Sequence, residues 1–187
     1  MGKVLAGMTV SLDGFMNDQN GSAQSLSPDF DELRETPSFK EMIENTGAVI
    51  MGRHTYEMAD PFLWINDDYE FQVPLFILTH NPPEKFPQGN GKLSVTFVTD
   101  GIESAIDQAK QAAGDKMVQV IGGADTIQQC LNSGLCDELG IDVMSLFLGK
   151  GLRLFENIDT DNVQLERISV EQTTPARTSI VFKVTKI

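Results

Sequence analysis

The chain has 187 residues, of which 41% are hydrophobic and 22% are charged, and its formal net charge at pH 7 is −13. This length and balance predict a single globular domain, covering residues 1–187, with a sizeable core. The charge excludes nucleic acid and anionic membrane as favourable partners, so any site for an anionic ligand must be built locally from backbone N–H groups and one or two cations.

The N-terminal residues and the two cysteines limit the cellular location and the metal chemistry. Residues 1–13 lack the long apolar stretch of a secretory signal, and no apolar run reaches the roughly 18 residues of a transmembrane helix. We therefore expect a cytoplasmic protein. Cys130 and Cys136 are too few for a disulfide framework, and with His54 and His80 they do not form a zinc-site spacing, so we expect core cysteines and no metal.

The first quarter of the chain predicts a strand, a loop and a helix. Along residues 4–12, the even-numbered and the odd-numbered positions are both largely apolar or small, which is typical of a strand buried on both faces. Residues 17–28 are polar and irregular, as in a loop. Thr36, followed by proline, predicts the start of a helix that ends at Gly47.

The rest of the chain alternates strands and helices until it reaches a hairpin. Helices are predicted near Thr55, after a cap at Thr99 or Asp100, and after the paired glycines at 122–123. A two-strand pattern closes the chain. This order predicts an α/β fold with a mostly parallel central sheet, helices on both faces and an antiparallel C-terminal hairpin. The predicted strands are 48–51, 75–79, 94–98, 117–121, 139–143 with an apolar continuation at 146–148, 163–172 and 178–185.

Two predicted strand-to-helix turns contain glycine. Residues 121–126 (IGGADT) place two glycines where a ligand can approach the backbone and where free helix N–H groups favour a pyrophosphate. A tight turn that needs glycine only for its geometry explains these residues equally well. Residues 51–57 (MGRHTYE) repeat the arrangement, with Arg53 either contacting a phosphate or pairing with Glu57.

Polar side chains follow two further strands. Residues 78–81 (LTHN) are placed to contact the adenosine of a dinucleotide, although a loop start with a solvated His80 is an equal interpretation. Asp13 lies just beyond the carboxyl end of the first strand, where ligands bind in open α/β sheets. A carboxylate there can hold a substrate or relay a proton, and the alternative is a simple turn at residues 13–14.

Taken in order, these motifs resemble the dihydrofolate-reductase-like superfamily, in particular the C-terminal reductase domain of the riboflavin-biosynthesis bifunctional deaminase-reductase. The resemblance covers residues 4–155 and rests on SLDG at 11–14, GRHTYE at 52–57, VIGGA at 120–124, DEL at 137–139 and LGKGLRLF at 148–155. It implies that NADPH lies across the carboxyl edge of the sheet. The implied cofactor residues are Ala6 and Leu12 near the nicotinamide, Gly52, Arg53, Thr55, Gly122, Gly123 and Ala124 at the phosphates with Thr126 beside them, and Thr79, His80 and Asn81 at the adenosine end.

Three positions depart from the pattern of that family. Members often carry arginine where this chain has His80, and a neutral histidine is no fixed cation for a 2′-phosphate. They also often carry proline at the position of Ser145. Dihydrofolate reductases place a substrate-binding carboxylate on the first helix, and the sequence does not show which nearby residue is equivalent. The candidates are Asp29, Asp31, Glu32 and Glu35.

We therefore expect an NADPH-dependent reductase that transfers a hydride to a small heterocyclic or carbonyl substrate. Asp13 is the catalytic candidate. Trp64 and Phe147 are candidates for stacking against the substrate, and the alternative is that both are aromatic residues of the core. One alternative is the riboflavin-pathway pyrimidine reductase itself, whose phosphorylated substrate needs basic groups in a chain with only 14 Lys and Arg. Another is a nucleotide-binding protein without turnover. The long hairpin at a sheet edge also predicts a homodimer.

Overall fold

The structure is a computed structural model that describes residues 2–186. Within these residues, eight strands and four of the five α-helices follow the predicted alternation. The strands are β1 (Val4–Ser11), β2 (Thr46–Gly52), β3 (Leu75–Leu78), β4 (Val95–Val98), β5 (Met117–Val120), β6 (Glu138–Met144), β7 (Val163–Thr174) and β8 (Arg177–Lys186). The helices are α1 (Phe30–Glu35), α2 (Pro37–Asn45), α3 (Arg53–Glu57), α4 (Ile102–Ala113) and α5 (Ala124–Ser133), with a 3-10 turn at Gln24–Leu26.

All eight strands join one sheet in the order β4-β3-β2-β5-β1-β6-β8-β7. The first six run parallel, whereas β8 pairs antiparallel with both β6 and β7. This arrangement confirms the predicted fold class, including the antiparallel hairpin at the edge. It also brings the carboxyl ends of β1, β2 and β5 side by side, because β5 lies between the other two.

The main core lies on the face of the sheet that α4 and α5 cover. Val4 and Ala6 of β1 point to this face and are fully buried, together with Ile106 of α4 and Ile127 of α5. The two cysteines, Cys130 and Cys136, are buried and unbridged. A second, smaller core under β2, β3 and β4 includes Met51, Tyr56 and Leu75.

On the opposite face of the sheet the second core covers β2, β3 and β4, and the rest of that face is covered only in part, by α1 and α2. Thr36 begins α2 as predicted, because its hydroxyl accepts a hydrogen bond from the Phe39 amide at 3.3 Å. Within residues 2–186, the longest helix is α4 with 12 residues, and none could cross a bilayer.

The structure departs from the sequence predictions at five places. The sequence did not predict α1, whose six residues are too few to show a helical period. Gly47 lies inside β2 instead of ending α2. The N-cap of α4 is Gly101 at φ 106°, not Thr99 or Asp100. The apolar residues at 146–148 form a loop, and the hairpin turn is only two residues long.

Candidate active site

The two glycine-bearing turns meet at the carboxyl edge of the sheet. The Gly52 amide donates a hydrogen bond to the Gly122 carbonyl at 2.7 Å. A Cβ at Gly52 would lie only 2.5 Å from Thr126 Oγ1, and one at Gly122, where φ is 135°, would lie 3.0 Å from Thr55 Oγ1. Both positions therefore need glycine, and segments 70 residues apart form one site. The Gly122–Gly123 peptide bond is cis.

The first turn of α5 opens onto this junction. Gly123 is its N-cap, and a Cβ built there would meet Thr55 Oγ1 at 3.6 Å, which is an ordinary contact. Space therefore remains beside Gly123, where the first N–H groups of a ten-residue helix are not used within the helix. Backbone donors and the helix dipole together favour a phosphate at this position.

Arg53 links the second motif to the third. Its Nε donates to Glu57 Oε1 at 2.6 Å, so the ion pair considered from the sequence is present. Its Nη1 also donates to the Asn81 carbonyl at 3.3 Å. The Arg53 side chain is 43% exposed, so it can still reach an anion at the surface of the site.

The adenosine-side candidates lie just beyond β3. Thr79 is nearly buried, and its hydroxyl accepts a hydrogen bond from the Asn81 amide at 3.2 Å. This turn holds Asn81 against Arg53, whereas the His80 side chain is exposed to solvent. The three motifs at residues 51–57, 78–81 and 121–126 therefore form a continuous rim.

Asp13 braces the loop that follows β6. Its Oδ1 accepts hydrogen bonds from the Ser11 hydroxyl at 2.6 Å and from the Leu148 amide at 3.1 Å, and its Oδ2 accepts one from the Gly149 amide at 2.8 Å. The hydrogen bond from Ser11, followed by those from the two amides, holds the pKa of Asp13 below its usual value. The carboxyl group is therefore ionised at neutral pH.

A cleft of about 660 Å³ lies on the partly covered face of the sheet, between the strands and α1 and α2. Its floor includes Gly7 and Thr9 of β1 and Gln119 of β5, and it reaches Ile121 beside the glycine junction. A ligand in this cleft would therefore lie next to one bound at the carboxyl edge. Gln119 is a polar residue on a central strand, yet it is only 2% exposed.

Several residues singled out from the sequence lie away from this cleft. Ala6 points to the opposite, α4–α5 face, so only its backbone can approach a ligand, while Leu12 is exposed at the end of β1. Trp64 stacks on Tyr56 and donates from its indole Nε1 to the Tyr56 carbonyl at 2.8 Å. Phe147 is 72% exposed. Neither aromatic residue is among those that line the cleft.

The four candidate carboxylates also differ in their surroundings. Asp29 is held by Arg177 through two hydrogen bonds, with Nη2 to Oδ1 at 2.8 Å and Nε to Oδ2 at 3.1 Å. Asp31 and Glu35 line a separate surface groove, and Glu32 is exposed. None of the four is among the residues that line the cleft.

Sequence reasoning missed two residues that shape this face, Gln119 and Arg177. Gln119 interrupts the apolar run of β5, a signal that could have been noticed. Arg177 was assigned to the hairpin turn, yet it is 2% exposed and begins β8. Among residues 2–186, no group of three or more His, Cys, Asp or Glu side chains is arranged to hold a metal ion.

Comparison with known proteins places this geometry in a family. The model of the RibD C-terminal domain matches residues 2–178. The uncharacterized protein YyaP of Bacillus subtilis is 22% identical over 185 residues, which cover 96% of this chain and 94% of YyaP.

Solved structures with this fold include two informative examples. A Shewanella sp. PV-4 protein, provisionally assigned to riboflavin biosynthesis, is 25% identical with a TM-score of 0.73, and the alignment covers 98% of this chain and 99% of that one. Dihydrofolate reductase from Enterococcus faecalis, solved with NADP(H), is 16% identical with a TM-score of 0.56, covering 98% and 96% of the two chains. The second likeness shows that the fold is that of dihydrofolate reductase.

Proposed function

Because the chain belongs to the RibD C-terminal domain family, we propose that it is an NADPH-dependent reductase acting on a small heterocyclic or carbonyl substrate. The observation that carries this proposal is the hydrogen bond between Gly52 and Gly122, which unites two glycine turns at the head of α5. A dinucleotide site at this edge adjoins the cleft on the sheet face. Hydride donor and acceptor would thus meet near Ile121.

The residues at the carboxyl edge fit a dinucleotide. The pyrophosphate fits the open space at Gly123, where N–H groups of α5 provide donors. Thr55 and Thr126 offer hydroxyl groups, and Arg53 offers a cation. Bound NADPH supplies a hydride, and the protein aligns the two ring systems and excludes water. The remaining candidates, Thr79, His80 and Asn81, would meet the adenosine end.

We propose that NADPH binds more tightly than NADH. Arg53 is the cation held beside the 78–81 segment, through its contact with Asn81. A charge-assisted contact with a 2′-phosphate contributes roughly 1.5–3 kcal/mol when it is partly buried, and less for an exposed side chain such as this one. Arg53→Gln should reduce the affinity for NADPH more than that for NADH, because NADH lacks the 2′-phosphate.

Calorimetric titration with each dinucleotide tests the binding site, and loss of NADPH absorbance with a panel of heterocycles and carbonyl compounds tests turnover. Tight binding of NADPH with turnover of at least one compound supports the reductase. Binding without turnover across the panel would favour a nucleotide-binding protein instead. Equal or tighter binding of NADH would contradict the assigned preference, and His80 is the first residue to examine.

A second candidate is the pyrimidine reductase of riboflavin biosynthesis. The family match and the Shewanella structure favour this activity. Its substrate carries a ribose phosphate, so it requires cations near the cleft. An assay with that phosphorylated pyrimidine, compared with its dephosphorylated form, distinguishes the two candidates.

A further inference from the structure

Among the described residues, Gln119 is the buried polar side chain of the cleft whose recorded hydrogen bonding is weak. Gln119 is 2% exposed and lies on the cleft floor. Within residues 2–186, the recorded polar contact of its carboxamide is from Nε2 to Met117 Sδ at 4.0 Å, which is weak. Because Gln119 lines the cleft and this weak contact is the one recorded for it, its carboxamide can pair with a ligand that supplies both a donor and an acceptor.

The surroundings of Gln119 fit a planar ring. Gly7 of β1 and Gly140 of β6 are paired directly across the two strands, so this part of the floor carries no side chain of its own and is bordered by Leu5, whose Cδ2 lies 3.4 Å and 3.6 Å from the positions that a Cβ would take at the two glycines. Phe30 and Phe39 of the two covering helices line the opposite wall, with ring centroids 6.1 Å apart. A flat aromatic ligand would contact the glycine backbone and Leu5 on one side and the two phenylalanine side chains on the other.

Arg177, the one basic residue among those that line the cleft in the described part of the chain, is already fully engaged. Its five N–H groups donate to Asp29 twice, and once each to Asp142, Thr9 and the Leu26 carbonyl. The Arg177 residue is 2% exposed, and its guanidinium has no free N–H donor for a ligand. An incoming phosphate would have to break this network.

The other charged groups at the cleft are acidic. The lining carboxylates are Glu41, Glu70, Glu138, Asp142 and Glu171. Lys3 pairs with Glu138, Arg34 pairs with Glu70, and Arg177 pairs with Asp142. In residues 2–186, no ion pair is recorded for Glu41 or Glu171. The field in the cleft is therefore negative, which repels an anion.

We propose that this cleft binds an uncharged or cationic planar heterocycle with a lactam edge, recognised by Gln119, and that it rejects phosphorylated ligands. A lactam offers an N–H donor next to a C=O acceptor, and the carboxamide of glutamine offers the complementary pair. The role of this ligand as the reductase substrate rests on the proposed function. The binding preference itself does not need turnover.

Riboflavin and flavin mononucleotide are a matched pair of probes, since they share a ring with a lactam edge and differ only by a phosphate. Each is titrated by fluorescence into the whole protein saturated with NADP⁺, which cannot reduce them. We expect riboflavin to bind at least about tenfold more tightly than flavin mononucleotide, with the gap narrowing as salt is added. Equal or tighter binding of the phosphorylated probe would overturn the proposal, and so would failure of both probes to bind.

Three variants locate the effect. Gln119→Met keeps the size of the side chain but removes its polar groups, so it should weaken riboflavin binding about tenfold or more without changing NADP⁺ affinity. Gln111→Met, on the exposed surface of α4, is the matched control and should change neither. Glu171→Lys should improve flavin mononucleotide binding relative to riboflavin. An unchanged riboflavin affinity in folded Gln119→Met would overturn the role of Gln119.

Failure of this inference can be separated from failure of the proposed function. If the protein does not bind NADP⁺ or NADPH, the reductase proposal fails, and the two flavins are then titrated without the dinucleotide. If NADPH binds and reduces compounds that carry phosphate as readily as those that do not, the reductase stands and the inference about the cleft fails.

Discussion

Arg177 and Asp29 are joined by two hydrogen bonds, with Nη2 to Oδ1 at 2.8 Å and Nε to Oδ2 at 3.1 Å, although 148 positions separate them in the sequence. Their side chains are 1% and 7% exposed. The Thr174 hydroxyl also donates to Asp29, at 2.6 Å. This pair fixes the start of α1 against the C-terminal hairpin, and so it sets the width of the cleft between them.

Arg177→Met should destabilise the fold by about 3–5 kcal/mol, because it leaves the buried Asp29 carboxylate without its counter-charge. Urea unfolding at neutral pH measures the change. Arg167→Met, on the exposed β7 strand, is the matched control and should lie within roughly 0.5 kcal/mol of wild type. A similar stability for the two variants would contradict a structural role for the Arg177 network.

The same pair predicts a pH dependence of stability. The hydrogen bond from Arg177 is the main reason why the pKa of Asp29 lies below its ordinary value in the folded state. Because the folded-state pKa is lower than the unfolded value of about 3.9, this stabilisation is complete above that value. It is lost as the pH falls through the folded-state pKa.

Asp29→Asn provides the test, since asparagine does not titrate. The free energy of unfolding of wild type should exceed that of Asp29→Asn at neutral pH, and the difference should shrink below pH about 4. Denaturant unfolding at a series of pH values measures it. Exposed Asp31→Asn serves as the control. A difference independent of pH would show that the carboxylate charge contributes nothing.

Gly123→Val should abolish NADPH binding in a protein that still folds. The backbone at Gly123 is extended, with φ −77° and ψ −167°, and valine adopts such geometry readily. Its methyl groups would fill the space beside the first turn of α5, where we place the pyrophosphate. Calorimetric titration and a thermal melt measure the two effects. Ala112→Val, exposed on α4, should change neither, and normal affinity in folded Gly123→Val would place the phosphates elsewhere.

The sequence predicted most of the fold because strands and longer helices leave local patterns. The buried run of β2, the stripe of α4 and the alternation of β8 could each be recognised within a dozen residues. The paired glycines at 122–123 also pointed to the site. The sequence could not reveal that the positive φ belongs to Gly122, while Gly123 is extended.

Long-range features of the site left no such pattern. Arg177 contacts residues 35, 148 and 168 positions away, so no local period could reveal its partners. For the same reason, the sequence could not distinguish among the candidate carboxylates at 29–35, because only the contact with Arg177 sets Asp29 apart from the others. The short helix α1 is likewise stabilised by tertiary packing, since six residues form no stable helix alone.

A homodimer is expected through the β7 edge. This 12-residue strand pairs with β8 on one side only, and its other side leaves backbone groups unpaired. Leu165, Ile168 and Val170 on it are each about half exposed. Size-exclusion chromatography with light scattering should report a dimer, and Ile168→Lys combined with Val170→Lys should give a monomer. Gln111→Lys combined with Ala112→Lys, exposed on α4 and away from β7, is the control, and a monomeric wild type at tens of micromolar would end this prediction.

The last prediction concerns Asp13, whose catalytic role stays a prediction. Its carboxylate accepts three hydrogen bonds, two of which come from the Leu148 and Gly149 amides, and its lowered pKa keeps it ionised, so it is a poor proton donor at neutral pH. Asp13→Asn keeps one acceptor but turns an NH₂ group toward a backbone amide. We therefore expect a lower melting temperature, unchanged NADPH affinity and a turnover within about tenfold of wild type. A fall in turnover of about 10²–10⁴-fold at an unchanged melting temperature would instead assign Asp13 to substrate contact or proton relay.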